Sequence, residues 1–192
     1  MDVETQMLAA LSQEIERDYS SDTNKLWVGS PFAWIRGRAS RQRGAIGEQL
    51  VAGWFAAKGA DVLRSPDAEA DRIIHGFRCE IKMSTIWNNG TYRFQQIRDQ
   101  SYDLLICLGL SPFQAHCWIL PKSILLQYVI GIMGQHTGAQ GQENAWLSVN
   151  PAQPLSWLKD YGGTLADAWQ VFQRMIHERE TQVSQELEVS AL

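Results

Sequence analysis

Asp71, Glu80 and Lys82 lie within twelve positions of one another, and together they could do phosphoryl chemistry. Asp71–His75 and Phe77–Ser84 read as two strands around a tight turn containing Gly76. Side chains alternate along a strand, so Glu80 and Lys82 share one face, while Phe77, Cys79, Ile81 and Met83 take the other. With His75 and Gly76 as the turn residues, Ile74 faces Phe77 and Asp71 falls directly opposite Glu80, on the same face. Like charges placed so destabilise a sheet unless something neutralises them. A hard divalent cation such as Mg²⁺ would do that, held by one or two carboxylates with phosphate and water. Lys82 beside it could orient or deprotonate a water, or neutralise charge in a transition state. The plain alternative is a surface hairpin in which Lys82 and Arg78 balance Glu80.

The flanking elements bear on that choice. From Ala45, the residues Ile46, Leu50, Val51, Trp54 and Phe55 form one helical face, and Gly59 is a plausible stop. A helix starting there puts Glu48 in its first turn, where an acid also suits the helix dipole. Gly44 and Gly47 beside it suggest close backbone approach. Asp61–Arg64 is a short strand candidate. Tyr102–Leu110 is a near-continuous apolar run of the kind that makes a buried central strand. Ala115–Leu120 follows as a strand, and Pro121 can open a helix through Ile124, Leu125 and Tyr128. Residues 4–19, with Leu8, Leu11 and Ile15, and Leu165 to about Gln185, with Trp169, Phe172 and Ile176, read as amphipathic helices. The expected fold class is α/β, a mixed central sheet flanked by helices with helical N- and C-terminal extensions. The expected organisation is an N-terminal helix and arginine-rich segment over 1–43, a core over 44–130, and a Gly/Gln-rich loop with a C-terminal helix over 131–192, part of the same globular unit.

Net charge is −4 over 192 residues, which alone argues against a polyanion partner. Its distribution does not. Residues 25–98 carry twelve bases and six acids, while 1–24 and 99–192 are each net −5. A basic middle between acidic flanks fits a polyanion site on an otherwise acidic protein. Arg36, Arg38, Arg41 and Arg43 lie in RGRASRQRG, inside a stretch, 25–43, that reads as irregular. Arginines at that density suit phosphate contacts from a mobile segment that orders on binding. Trp27 and Trp34 could stack on bases or belong to the core. Gln135 and His136, in a polar cluster with Thr137 and Gly138, could reach a base edge or phosphate, or serve only the loop.

Other classes are set aside. Three cysteines at 79, 107 and 117, each beside apolar residues, read as buried reduced thiols and suggest a reducing compartment. No apolar run approaches membrane length, and the acidic N-terminus lacks a basic signal region, so a cytoplasmic location and no membrane partner are expected. The histidines and cysteines show no zinc spacing. No phosphate-binding G-x-x-x-x-G-K-[ST] loop occurs, so no nucleotide cofactor is expected.

The order G-x-x-G-E on a helix, an Asp at a strand start, then E-x-K on the next strand resembles the PD-(D/E)XK nuclease superfamily, most of all its small type II restriction endonucleases. The resemblance spans roughly residues 44–130. It implies a Mg²⁺-dependent DNA endonuclease leaving 5′-phosphates, with Mn²⁺ able to substitute and double-stranded DNA as partner. It implies Asp71 and Glu80 as metal ligands, Glu48 as an accessory acid and ligand, and Lys82 as the catalytic lysine. A Gln after the E-x-K strand recurs in such families; Gln95 or Gln96 could match, and Gln96 is preferred. The literal Pro-Asp dipeptide is Pro66-Asp67, which leaves Asp67 as an alternative to Asp71. Asp71 is chosen because apolar Ile73 and Ile74 follow it. One such core cuts one strand, so a two-fold homodimer is expected, built on the terminal helices unless their stripes pack on the chain's own sheet. The alternatives are a repair, junction-resolving or RNA-acting nuclease of the same fold, and a catalytically silent nucleic-acid-binding module.

Overall fold

The structure, a computed structural model, describes residues 6–7, 23–133 and 144–190. The predicted N-terminal stripe of Leu8, Leu11 and Ile15 and the Gln135–His136 cluster lie outside the described residues.

Six strands form the main sheet: β1 (Val62–Arg64), β2 (Arg72–Ile74), β3 (Phe77–Thr85), β5 (Leu104–Leu110), β6 (Ala115–Pro121) and β8 (Gly162–Thr164). They lie in the order β1-β2-β3-β5-β6-β8. All neighbours are antiparallel except β3 and β5, which run parallel at the centre. The expected mixed α/β class holds, with a sheet that is mostly antiparallel. β4 (Tyr92–Ile97) and β7 (Ala145–Val149) pair with each other as a separate antiparallel ribbon. Helices α1 (Thr23–Leu26) and α2 (Ala33–Arg36) are single turns. α3 (Ser40–Ala57), α4 (Lys122–Tyr128) and α5 (Leu165–Ser190) are longer. Among the described residues no helix is long and apolar enough to cross a membrane.

All seven residues of β5 are buried, as its sequence predicts. Its alternation divides the interior in two. Leu104, Ile106, Leu108 and Leu110 join Val51 and Phe55 of α3 and Phe172 of α5 in one apolar cluster. Leu105 and Cys107 face the other way, into a cluster built by Tyr92, Phe94 and Ile97 of β4, Leu147 of β7 and Leu125 of α4. Each large side chain so buried contributes about 1.5–3 kcal/mol. The ribbon sits close on the sheet at Gly109, where an added Cβ would stand 2.7 Å from the Tyr92 ring. Ile35 of α2 belongs to the first cluster, so the arginine-rich segment is anchored to the core. The C-terminal stripe packs inward too: Phe172 is fully buried, and Trp169 and Ile176 lie against the same cluster. That accounts for its apolar face without a partner chain.

The hairpin between β2 and β3 has the expected register, Ile74 opposite Phe77 and Arg72 opposite Cys79. His75 and Gly76 both have positive φ, 48° and 79°, the signature of the two-residue turn that matches strand twist. The cysteines are free and buried. Burial raises all three thiols, Cys117 to about 12.

Two expectations are corrected. Residues 40–44 are helical: α3 begins at Ser40, five residues before Ala45, and Arg41 and Arg43 are on it. Its start is hard to see because Ala39 supplies no side-chain cap and the first turn has no apolar stripe. Glu48 therefore sits more than two turns in, beyond the reach of the helix dipole invoked for it.

Candidate active site

β2 pairs with β3 only as far as Cys79, and the Asp71 N–H extends the ladder by one bond to the Cys79 carbonyl, 2.9 Å. Beyond that point Glu80–Thr85 of β3 have no strand on that side. A cleft of about 780 Å³ runs along this open edge. One wall is helical, with Arg36 of α2 and Ser40, Arg43 and Glu48 of α3. The other is the turn Trp87–Asn89 with Arg93, Gln95 and Gln96 of β4. Asp71 and Lys82 line the cleft between them.

The helical wall is close because of a glycine. A Cβ on Gly47 would stand 2.5 Å from Met83 Cβ, so α3 can lie against β3 only with no side chain there. The expected close approach holds for Gly47. It does not hold for Gly44, whose added Cβ would meet nothing within 4 Å.

The three acids and the lysine form one electrostatic unit. The Ile81 N–H donates to Asp71 Oδ2 at 2.7 Å, which fixes the carboxylate against the β3 edge. Lys82 Nζ donates to Glu80 Oε1 at 2.5 Å. Arg72 reaches both sides: Nη1 donates to the Asp71 carbonyl at 2.7 Å, and Nη2 lies 3.5 Å from Glu48 Oε2. Glu80 is 8% exposed. Burial pushes its carboxyl above the usual range; Lys82 opposes that, and Asp71 adds to it. Glu48 is raised as well, first by burial and then by the charge of Asp71. Asp71 thus lies close enough to Glu80 to raise its carboxyl, as the register of the strand pair leads one to expect.

The alternative acid stands elsewhere. Asp67 is exposed and does not line the cleft; it accepts hydrogen bonds from Arg78 Nη2 at 2.8 Å and the Glu69 N–H at 3.0 Å. The Arg78 hydrogen bond holds its carboxyl below the usual range. The Pro66-Asp67 dipeptide is therefore part of a surface turn.

The residues Glu48, Asp71, Lys82, Arg36, Arg43 and Gln96 are brought to one cleft; Glu80, 8% exposed and bonded to Lys82, is not among the lining. Arg38 and Arg41 are not among its lining. Arg38 lies over Trp34, 5.7 Å from the ring centroid, and Arg36 over Trp27 at the same distance. Trp27 is buried, whereas Trp34 is exposed. Sequence reasoning missed Ser40, Trp87, Asn88, Asn89 and Arg93. The Asn89-Gly90 pair is a turn signal that would have found the loop.

A solved structure of similar architecture is the bacterial homing endonuclease I-Ssp6803I. It is 14% identical, with a TM-score of 0.51, and the match covers 75% of this chain and 98% of that one. At that identity the likeness is one of fold alone. No family model matches the sequence, and no curated protein matches it.

Proposed function

We propose that this chain is a Mg²⁺-dependent DNA endonuclease of the PD-(D/E)XK superfamily and of restriction-enzyme type, hydrolysing phosphodiester bonds to leave 5′-phosphates. The observation that carries the reading is Asp71 and Lys82 on an open strand edge, in a cleft with arginines on both walls, with Glu80 bonded to Lys82. The fold it shares with an endonuclease makes DNA the natural polyanion.

The donor set suits a hard cation. Among the described residues no group of three or more His, Cys, Asp or Glu is placed to hold a metal ion; the ligands proposed here are the two carboxylates Asp71 and Glu80, with the other positions left to water and phosphate. Each already has one oxygen held, by the Ile81 N–H and by Lys82. Glu48 stands near enough to feel Asp71, Glu80 and Lys82, and would act as an accessory acid. When bound, Mg²⁺ would supply charge neutralisation at the scissile phosphate and acidify an attacking water. Lys82 would orient that water and offset the developing negative charge. Arg36 and Arg43 would hold the flanking phosphates, and Gln96 would help position the scissile one.

A second reading keeps the chemistry and changes the type: a homing endonuclease, favoured by the fold shared with a protein of that name. Cleavage of plasmid DNA, with and without Mg²⁺, tests both. Several discrete fragments with 5′-phosphate ends support restriction. Cleavage at a single position supports the second reading. A smear or a preference for branched DNA means a repair nuclease instead, and no cleavage in any divalent ion means a silent binding module.

A further inference from the structure

The ribbon of β4 and β7 is not needed to hold the catalytic unit, yet it forms one wall of the cleft. Its inner face is apolar: Tyr92, Phe94, Ile97, Ala145, Leu147 and Val149 are all buried. By alternation its outer face presents Arg93 and Gln95 from β4, with Ser148 of β7 directly opposite Arg93. Among the described residues no acid lines this wall.

Two features of its construction are unusual. The ladder slips by one residue between Phe94 and Ile97, so that β4 spends two residues, Gln95 and Gln96, where β7 spends one. Gln96 takes φ 58°, a left-handed conformation costly for any residue but glycine. Without the slip Gln96 would turn inward; with it both glutamines line the cleft and Ile97 returns to the core. Bulges of this kind re-aim side chains beside active sites. Next to them the Arg93 guanidinium lies 4.1 Å from the centroid of the Trp87 ring, and its backbone N–H is tied to Ser84 Oγ of β3 at 2.9 Å. A stacked guanidinium loses little further freedom when it binds.

Arginine and glutamine are the side chains that pair in bidentate fashion with guanine and adenine, and a two-stranded ribbon fits the major groove. Resting on the endonuclease reading above, we propose that the β4–β7 ribbon is the sequence-reading element: Arg93, plated on Trp87, reads a guanine, and Gln95 reads an adenine. Specificity then resides in this wall, and the arginines of α2 and α3 supply affinity without sequence.

The test is selection of bound duplexes from a pool with a randomised central segment, in Ca²⁺, for the wild-type chain and for Arg93→Ala, Arg93→Lys and Gln95→Ala. Circular dichroism checks that each variant is folded. The wild type is expected to return a base preference. Arg93→Ala should lose a guanine preference at one position by about tenfold or more while the other positions persist, and Gln95→Ala should do the same at an adenine. Arg93→Lys should keep a weaker guanine preference than the wild type, because it keeps the charge and a donor and loses the fork. Unchanged preferences in the Arg93 and Gln95 variants overturn the proposal and leave the endonuclease reading standing. So does an affinity loss equal across all sequences, since that makes Arg93 a phosphate contact. If the wild-type chain retains no duplex at all, both readings fall.

Discussion

The two walls of the cleft are built on opposite terms. On the side of α3 and the β2–β3 hairpin, three carboxylates, a lysine and an arginine crowd together, and burial and mutual repulsion raise both Glu48 and Glu80. Each acid there has a protein partner: Glu48 with Arg72, Asp71 with the Ile81 N–H, Glu80 with Lys82. On the ribbon side the one charge among the described lining residues is Arg93, stacked on a ring, among amides and a tryptophan. On the proposed reading, a wall that concentrates like charge serves charge that changes during a reaction. A wall of amides is built for hydrogen bonding that does not change. The open edge of β3 is the seam where the two meet.

Breaking the charged wall should have the largest effect. Lys82→Ala and Glu80→Ala are expected to lower cleavage by about a hundredfold or more, with the fold retained by circular dichroism, since removing one such electrostatic group commonly costs that much. Near wild-type cleavage by either variant would remove the mechanism. A paired comparison comes next: Asp71→Asn should approach the same loss, while Asp67→Asn, outside the cleft, should cleave as the wild type does. If the two exchange behaviour in the same assay, the surface turn is the true ligand.

Wall spacing gives a smaller, structural effect. Gly47→Ala forces a Cβ to 2.5 Å from Met83 and should cost about 1–3 kcal/mol in thermal or denaturant unfolding. Gly44→Ala, three residues earlier on the same helix, meets open space and should gain about 0.5–1 kcal/mol. Equal effects would mean that α3 does not lie against β3 as described. Smallest is the response of DNA binding to salt. Neutralising Arg36 and Arg43 together should flatten the slope of log K against log salt by roughly two, about one per phosphate contact, and Arg41→Ala should leave it nearly unchanged. A change at Arg41 as large as at Arg43 would place the DNA on another face of α3.

The charged wall was largely legible in the sequence, and the ribbon was not. The β2–β3 register follows from strict alternation and a His-Gly turn, both local, and the Asp71–Glu80 opposition follows from the register. β5 announces itself by a run of apolar residues that only a strand covered on both faces would need. β4 hides its alternation behind a bulge at Gln95–Gln96, and its partner β7 lies some fifty residues on, so nothing nearby marks either as a strand. β8 is Gly162-Gly163-Thr164, poor in strand formers. It pairs because a backbone without Cβ fits at Cys117, whose carbonyl oxygen would be 2.3 Å from a Cβ on Gly162. The helix dipole reading of Glu48 failed for a related reason, an uncapped helix start that no residue type signalled.

The central claim is that the Asp71–Glu80 pair makes this chain a metal-dependent nuclease. The most direct measurement is digestion of bacterial genomic DNA, which offers any short site many times over, by the wild-type chain and by Glu80→Gln. Each is incubated with Mg²⁺, Mn²⁺ or EDTA and the products are sized by electrophoresis. The account predicts fragmentation by the wild type in Mg²⁺ and in Mn²⁺, none in EDTA, and none by Glu80→Gln in any condition. DNA left intact in both metals, or cut equally in EDTA or by Glu80→Gln, would contradict it.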